Sequence, residues 1–242
     1  MMLTFIGLGL GGVKDISVKG LEAVKRCDAV YLENYTSKLT NASVSELEKF
    51  YGKKVILADR IMVENDVQKI LDEAKRKDVS LLIIGDVFGA TTHAMILLEA
   101  KKQGIKVEII HNASILNVVG EVGLELYKFG HITSIPFENK NIQTPVEIFK
   151  KNYENNLHTL FLLDLDPKNG KFMTVNEAAD YLIRNGVGNI RAVACGALGS
   201  KNSEIRAGNL KDLDIKGFPQ CLIIPAKKLH FVEEEALDAL AH

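Results

Sequence analysis

The chain has 242 residues, a formal net charge of −1 and a hydrophobic fraction of 47%. That length allows one large domain or two small ones with a sizeable core, and near-neutrality offers no bulk attraction to nucleic acid or to an acidic membrane. No apolar run approaches the roughly 18 residues of a membrane-spanning helix, and Met1-Met2-Leu3-Thr4-Phe5-Ile6-Gly7 carries no basic leader, so a cytoplasmic protein is expected.

Leu3 to Ile6 reads as a strand running straight into Gly7-Leu8-Gly9-Leu10-Gly11-Gly12. Val18 to Arg26 is a helix with Leu21 and Val24 inward and Lys19, Lys25 and Arg26 outward. Ala29 to Leu32 is a second strand ending at Glu33. Ser43 to Phe50 is helical, with Ser43 and Glu46 spaced as a capping box. Lys54 to Leu57 is a strand and Val67 to Lys77 a helix. Leu81 to Ile84 reads as a buried strand, broken by Gly85-Asp86, with Gly89 allowing a tight backbone path. Thr91 and Thr92 are candidate caps for a helix from Ala94 to about Lys102, and Lys106 to Ile110 closes the series. Strand and helix alternating at this rhythm imply a mostly parallel sheet.

Asn112-Ala113-Ser114-Ile115 brings turn formers, and a helix is expected over Leu116 to Phe129. The later candidates are strands at His131 to Ile135, His158 to Leu165, Arg191 to Cys195 and Cys221 to Ile224. Helices are expected near Pro145 to Asn156, Val175 to Asn185 and Val232 to Ala241. Thr174 and Glu177 repeat the capping-box spacing, Asp166-Pro167-Lys168-Asn169-Gly170 is a turn cluster, and Glu204 to Gly208 is a short strand and turn. The mixed spacing predicts a mixed sheet flanked by helices. The class is α/β in two domains, 1–111 and 112–242.

Gly7, Gly9 and Gly12 satisfy G-x-G-x-x-G, and Glu33 lies 21 residues past Gly12, the dinucleotide fingerprint on paper. Yet Val13-Lys14-Asp15-Ile16 separates the glycines from the helix, and Asp15 or Ser17 is the better N-cap. A carboxylate beside a pyrophosphate is unhelpful, so a plain glycine turn competes with a dinucleotide site. The Gly85-Asp86 loop similarly reads either as a plain strand-to-helix connection or as a ligand loop at a sheet end. His93 either contacts a ligand or caps a helix. No histidine has a second ligand at metal spacing, so no metal site is expected. Cys27, Cys195 and Cys221 sit in or beside apolar runs and read as buried thiols of a reducing compartment. Lys75-Arg76-Lys77, Lys101-Lys102 and Lys150-Lys151 belong on solvated helix ends or, less simply, on a docking face.

Several stretches together resemble the archaeal diphthine synthases. They are Phe5-Ile6-Gly7-Leu8-Gly9-Leu10, Val18-Lys19-Gly20-Leu21-Glu22, and Gly85-Asp86 with Ala90-Thr91-Thr92-His93. Ser114-Ile115, Tyr127-Lys128-Phe129-Gly130, His158-Thr159-Leu160, Ile205-Arg206-Ala207-Gly208 and Lys228-Leu229-His230 continue the match in one order along essentially the whole chain. The glycine-rich start is shared with the wider tetrapyrrole-methylase superfamily. The resemblance implies two α/β domains with a cleft between them, a homodimer, and S-adenosylmethionine as methyl donor. It implies as acceptor the amino group of the modified histidine of translation elongation factor 2, on the way to diphthamide.

Carried over by position, the resemblance assigns cofactor binding to Leu10, Asp86, Gly89, Ser114 and Ile115, and from the second domain to Leu163, Leu198 and His230. Val87 stands where the family usually has Pro and Gly89 where it usually has Val, so Gly89 can meet a ligand only through its main chain. An activated methyl needs positioning and desolvation more than acid–base chemistry. Asp86 either fixes the loop or a polar group of the cofactor, or moves a proton, and no general base is assigned. Two other readings remain at this point: a tetrapyrrole C-methyltransferase, for whose large anionic substrate no arginine cluster is evident, and a dinucleotide-dependent oxidoreductase or nucleotide sensor.

Overall fold

The computed structural model describes residues 1–89 and 93–241. They fall into two compact units, Met1–Leu116 together with Gly199–Lys201, and the rest of the described chain.

The first unit is built on five parallel strands, β1 (Met2–Gly7), β2 (Ala29–Glu33), β3 (Val55–Ala58), β4 (Val79–Ile83) and β5 (Lys106–Ile110), in the order β3-β2-β4-β1-β5. They are linked by helices α1 (Val18–Arg26), α2 (Val44–Tyr51), α3 (Gln68–Ala74) and α4 (Ala94–Lys102). Parallel strands covered on both faces must be apolar on both. Accordingly Leu3, Phe5, Tyr31, Leu81 and Ile83 enter one buried cluster, and Ile6, Val30, Leu32 and Leu82 the other. β1 and β4 are neighbours, but the chain leaves them in opposite directions, from β1 toward β2 and from β4 toward β5. Such a switch point opens a crevice at the carboxyl ends of the strands.

Local signals behave as the sequence predicts. Ser17 caps α1, and Ser43 and Glu46 form a reciprocal capping box on α2. The expected helix from Val67 is shorter, Gln68–Ala74, and is preceded by a π-helical turn over Ile61–Asn65. Thr91 and Thr92 lie outside the described residues; His93 is the first residue before α4 and makes no side-chain cap.

The second unit carries the mixed sheet. β6 (Thr133–Ile135), β7 (Thr159–Leu163), β10 (Arg191–Gly196), β11 (Glu204–Asn209) and β12 (Gln220–Ile224) lie in the order β11-β10-β12-β7-β6, and only β6 and β7 run parallel. A small hairpin, β8 (Leu165–Asp166) with β9 (Lys171–Phe172), follows β7. α6 (Thr144–Glu154) and α7 (Val175–Arg184, boxed by Thr174 and Glu177) supply Val146, Phe149, Tyr181 and Leu182 to a core with Phe161 and Leu222. α8 (Phe231–Ala239) closes the chain.

One expectation fails. The helix predicted over Leu116 to Phe129 is only α5 (Ile115–Val118), continued by 3₁₀ turns at Val119–Val122 and Leu126–Lys128. Gly123 adopts φ +79°, and a Cβ there would overlap Ala236 of α8. Gly123 therefore packs closely on α8, and its left-handed backbone ends the 3₁₀ turn over Val119–Val122.

Candidate functional site

Three turns meet at the carboxyl ends of β1, β4 and β5. Gly9 and Gly85 exchange backbone hydrogen bonds, Gly9 N–H to Gly85 O at 3.1 Å and Gly85 N–H to Gly9 O at 2.8 Å. Asn112 ties in the third turn: its Nδ2 donates to Gly7 O and to Asp15 O, both at 2.9 Å, and its backbone N–H donates to Asp86 Oδ2 at 3.0 Å. From the sequence, Asn112 is only a turn former. Its long-range partners leave no local trace.

Asp86 is the hub. It accepts from Phe88 N–H at 3.0 Å, from Asn112 N–H, and from His111 Nδ1 at 2.8 Å. Burial alone would raise its pKa, but the two amides and the His111 ring outweigh it and hold the carboxyl below the usual carboxylate range. Leu10 and Ser114 flank Gly85: a Cβ built there would lie 3.6 Å from Leu10 Cδ2 and 3.7 Å from Ser114 Cβ. Gly89 abuts Ser114 directly, and Ser114 Oγ in turn accepts from Leu116 N–H at 3.3 Å at the start of α5, whose first residue is Ile115. The structure thus gathers Leu10, Asp86, Gly89, Ser114 and Ile115 around one carboxylate and a set of close backbone turns. Such a surface suits a compact polar ligand gripped through main-chain groups. His93, buried beside Val87 with Nδ1 3.3 Å from Val87 O, is packed into this loop.

The glycine turn of the dinucleotide fingerprint already has its Gly11 and Gly12 amides engaged. Asp15 Oδ2 accepts from Gly11 N–H at 2.6 Å and Gly12 N–H at 2.9 Å, so the turn's amides hold an internal carboxylate where a pyrophosphate would need them. Glu33 is fully buried and accepts from Tyr35 N–H, Thr36 N–H and Thr36 Oγ1, so it has no role at a ribose.

In the second unit, Leu163 ends β7 and Leu198 follows β10; both are buried. Leu162, Cys221 and Cys195 pair across one row of the sheet, so Leu163 and Leu198 leave it at the same edge. Ala197 takes φ +50° just before Leu198; Gly199, with φ +74°, already belongs to the first unit and packs there on Leu10. His230 is exposed and caps α8, its Nδ1 accepting from Val232 N–H at 3.4 Å. It follows β12, whose last residue pairs with Thr159 at the opposite end of β7 from Leu163.

Beside His230 lies a buried polar cluster. Glu233 accepts from His158 Nε2 (2.8 Å) and Glu125 N–H (3.1 Å) on Oε1, and from Lys128 Nζ (2.6 Å) and His230 N–H (2.8 Å) on Oε2. His158 Nδ1 accepts from Ala226 N–H at 2.9 Å, which places the ring proton on Nε2 and keeps the ring neutral. Burial lowers the His158 pKa in spite of Glu233. Burial opposes ionisation of Glu233, but Lys128 and the two amides prevail and bring its pKa down to about 2. The one sequence signal for Glu233 is its capping-box distance from His230. Among the described residues, no group of three or more His, Cys, Asp or Glu could hold a metal ion, and no helix is long and apolar enough to cross a membrane.

The model of the tetrapyrrole (corrin/porphyrin) methylases matches residues 2–214. A diphthine synthase of Archaeoglobus fulgidus is 43% identical over 99% of this chain and 96% of its own, and a probable diphthine methyl ester synthase of Arabidopsis thaliana is 43% identical over 98% of this chain and 97% of its own. A crystal structure of a diphthine synthase superposes with a TM-score of 0.93 at 41% identity, covering 100% of this chain and 96% of the other. The chain belongs to the tetrapyrrole methylase family and is an S-adenosylmethionine-dependent methyltransferase. Within that family it belongs with the diphthine synthases. Neither a tetrapyrrole substrate nor dinucleotide chemistry is favoured.

Proposed function

We propose that this methyltransferase acts on translation elongation factor 2, methylating the amino group of 3-amino-3-carboxypropyl-histidine on the way to diphthamide. The observation that carries the reading is the near-complete overlap, at 43% identity, with a relative named diphthine synthase. A homodimer in the cytoplasm belongs to the same reading; three buried free cysteines suit a reducing compartment, and the exposed Ile56 and Leu57 on the edge strand β3 suit self-association.

Leu10, Asp86, Gly89, Ser114, Ile115, Leu163, Leu198 and His230 would hold the cofactor. When bound, the cofactor would supply an activated methyl on its sulfonium to the neutral amine, with sulfur keeping the electron pair of the broken C–S bond and the amine's proton passing to solvent. The protein's share is placement. Asp86 and Asn112 lock the turns against one another before the ligand arrives, so little ordering remains to be done on binding. Among the described residues, Asp86 Oδ1 accepts from a single amide, and a carboxylate oxygen has capacity for a further bond from a hydroxyl or ammonium of the ligand.

The name of the Arabidopsis relative, probable diphthine methyl ester synthase, supports a second reading in which a carboxylate is methylated as well. Mass spectrometry of elongation factor 2 after incubation with S-adenosylmethionine tests both. Methyl increments that survive mild alkali report the amine, and increments lost to alkali report an ester. No increment on the factor would overturn the proposal.

A further inference from the structure

The buried Glu233 cluster has no part in the chemistry proposed above, and its cost calls for a purpose. Its carboxylate is 1% exposed, and its four hydrogen bonds, two per oxygen, come from three separate segments of chain. Three of the cluster's bonds converge on the loop between β12 and α8. His158 Nδ1 holds Ala226 N–H, Lys128 Nζ donates to Lys228 O at 2.9 Å, and Glu233 holds His230 N–H. Asn156 adds two more, accepting from Lys228 N–H at 2.7 Å and donating to Lys228 O at 3.2 Å, from a left-handed backbone at φ +58°.

A loop this short needs no such set of partners merely to join a strand to a helix. What the partners fix is the position of His230, which lies at one end of β7 while Leu163 lies at the other. A ligand that meets both spans about 16 Å of strand, so a small displacement of either end is lost contact. We propose that Lys128, Glu233, His158 and Asn156 are positioning residues that hold the 226–230 loop, and through it His230, in register for cofactor binding. The inference rests on the assignment of His230 to the cofactor.

The test is a coupling measurement with S-adenosylhomocysteine as the probe, by calorimetry, alongside KM and kcat with S-adenosylmethionine. Lys128→Met removes the ammonium at the rim of the cluster. Asn156→Gly removes both bonds to Lys228 while keeping the left-handed backbone, and serves if Lys128→Met does not fold. Either variant should weaken binding and raise KM about tenfold with kcat nearly unchanged, and Lys128→Arg should restore most of the loss. In a His230→Ala background, Lys128→Met or Asn156→Gly should add little further loss, because the side chain being positioned is gone. An equal loss in both backgrounds, or no loss in either single variant, overturns the inference and leaves the site reading intact. If His230→Ala alone binds as tightly as the native chain, the cofactor role of His230 falls and the inference falls with it, separately from the methylation of elongation factor 2.

Discussion

A Cβ built on Gly89 would stand 2.8 Å from both Cβ and Oγ of Ser114. The loop after β4 and the turn after β5 therefore touch with no space for even a methyl group, and both lie among the residues proposed to hold the cofactor. Gly89→Ala should displace Ser114 or its own loop, costing about 1–3 kcal/mol of stability and weakening S-adenosylhomocysteine binding. Adding Ser114→Gly, which removes the opposing Cβ, should recover much of the loss. A double-mutant cycle by thermal melting and calorimetry measures the coupling; strict additivity would mean the two positions do not meet.

Asp86 supports a prediction about which partner matters. Asp86→Asn keeps the shape but puts an amide donor against the donors of His111 and Asn112. The loss should be about 1–3 kcal/mol, with weaker cofactor binding. His111→Ala, by contrast, removes a partner that is 66% exposed and should cost under about 1 kcal/mol. Urea denaturation of the two variants ranks them; a His111 effect equal to that of Asp86 would mean the amides of Phe88 and Asn112 contribute nothing.

Much of this is legible in the chain and some is not, for a physical reason. Buried parallel strands are apolar on both faces, so Leu81 to Ile83 announce themselves, and Ser43-Glu46 and Thr174-Glu177 carry their caps within four residues. The break at Gly123 is set by Ala236, over a hundred positions away, and the periodicity before it gives no warning. Asn112 and Glu233 act through partners equally remote. The glycine turn is ambiguous in sequence because G-x-G-x-x-G records only backbone freedom; what occupies its amides is decided by Asp15 folding back. Of the positions matched to the family, Leu10, Asp86, Gly89, Ser114 and Ile115 lie together in the first unit. Nothing in the residues themselves could have placed His230 at the far end of β7 from Leu163.

The internal carboxylate of Asp15 also forecasts ligand choice. S-adenosylhomocysteine at about a hundred times its Kd should stabilise the protein by about 2.7 kcal/mol, a rise in Tm on the order of 5 °C. NAD at the same concentration should produce no shift, since Gly11 and Gly12 amides are engaged and Glu33 is sealed by Tyr35 and Thr36. A shift with NAD matching that of S-adenosylhomocysteine would overturn the reading of the turn.

The Glu233 cluster sets the response to acid. The folded pKa of Glu233, about 2, lies below its ordinary 4.5, so its contribution to stability is fully present above pH 4.5 and is lost as pH falls through about 2. At 1% exposure the shift corresponds to something on the order of 3 kcal/mol. His158 acts in the same direction: its folded pKa is lowered, so the unfolded chain takes up a proton first, and stability declines as pH drops below the ordinary 6.5. Chemical denaturation between pH 7 and pH 3 should show a fall beginning near pH 6.5 and steepening below 4.5. Glu233→Gln should start lower at pH 7 and fall less steeply at the acid end, because the group whose protonation drives the loss is absent. An unchanged slope in that variant would place the acid sensitivity elsewhere in the molecule.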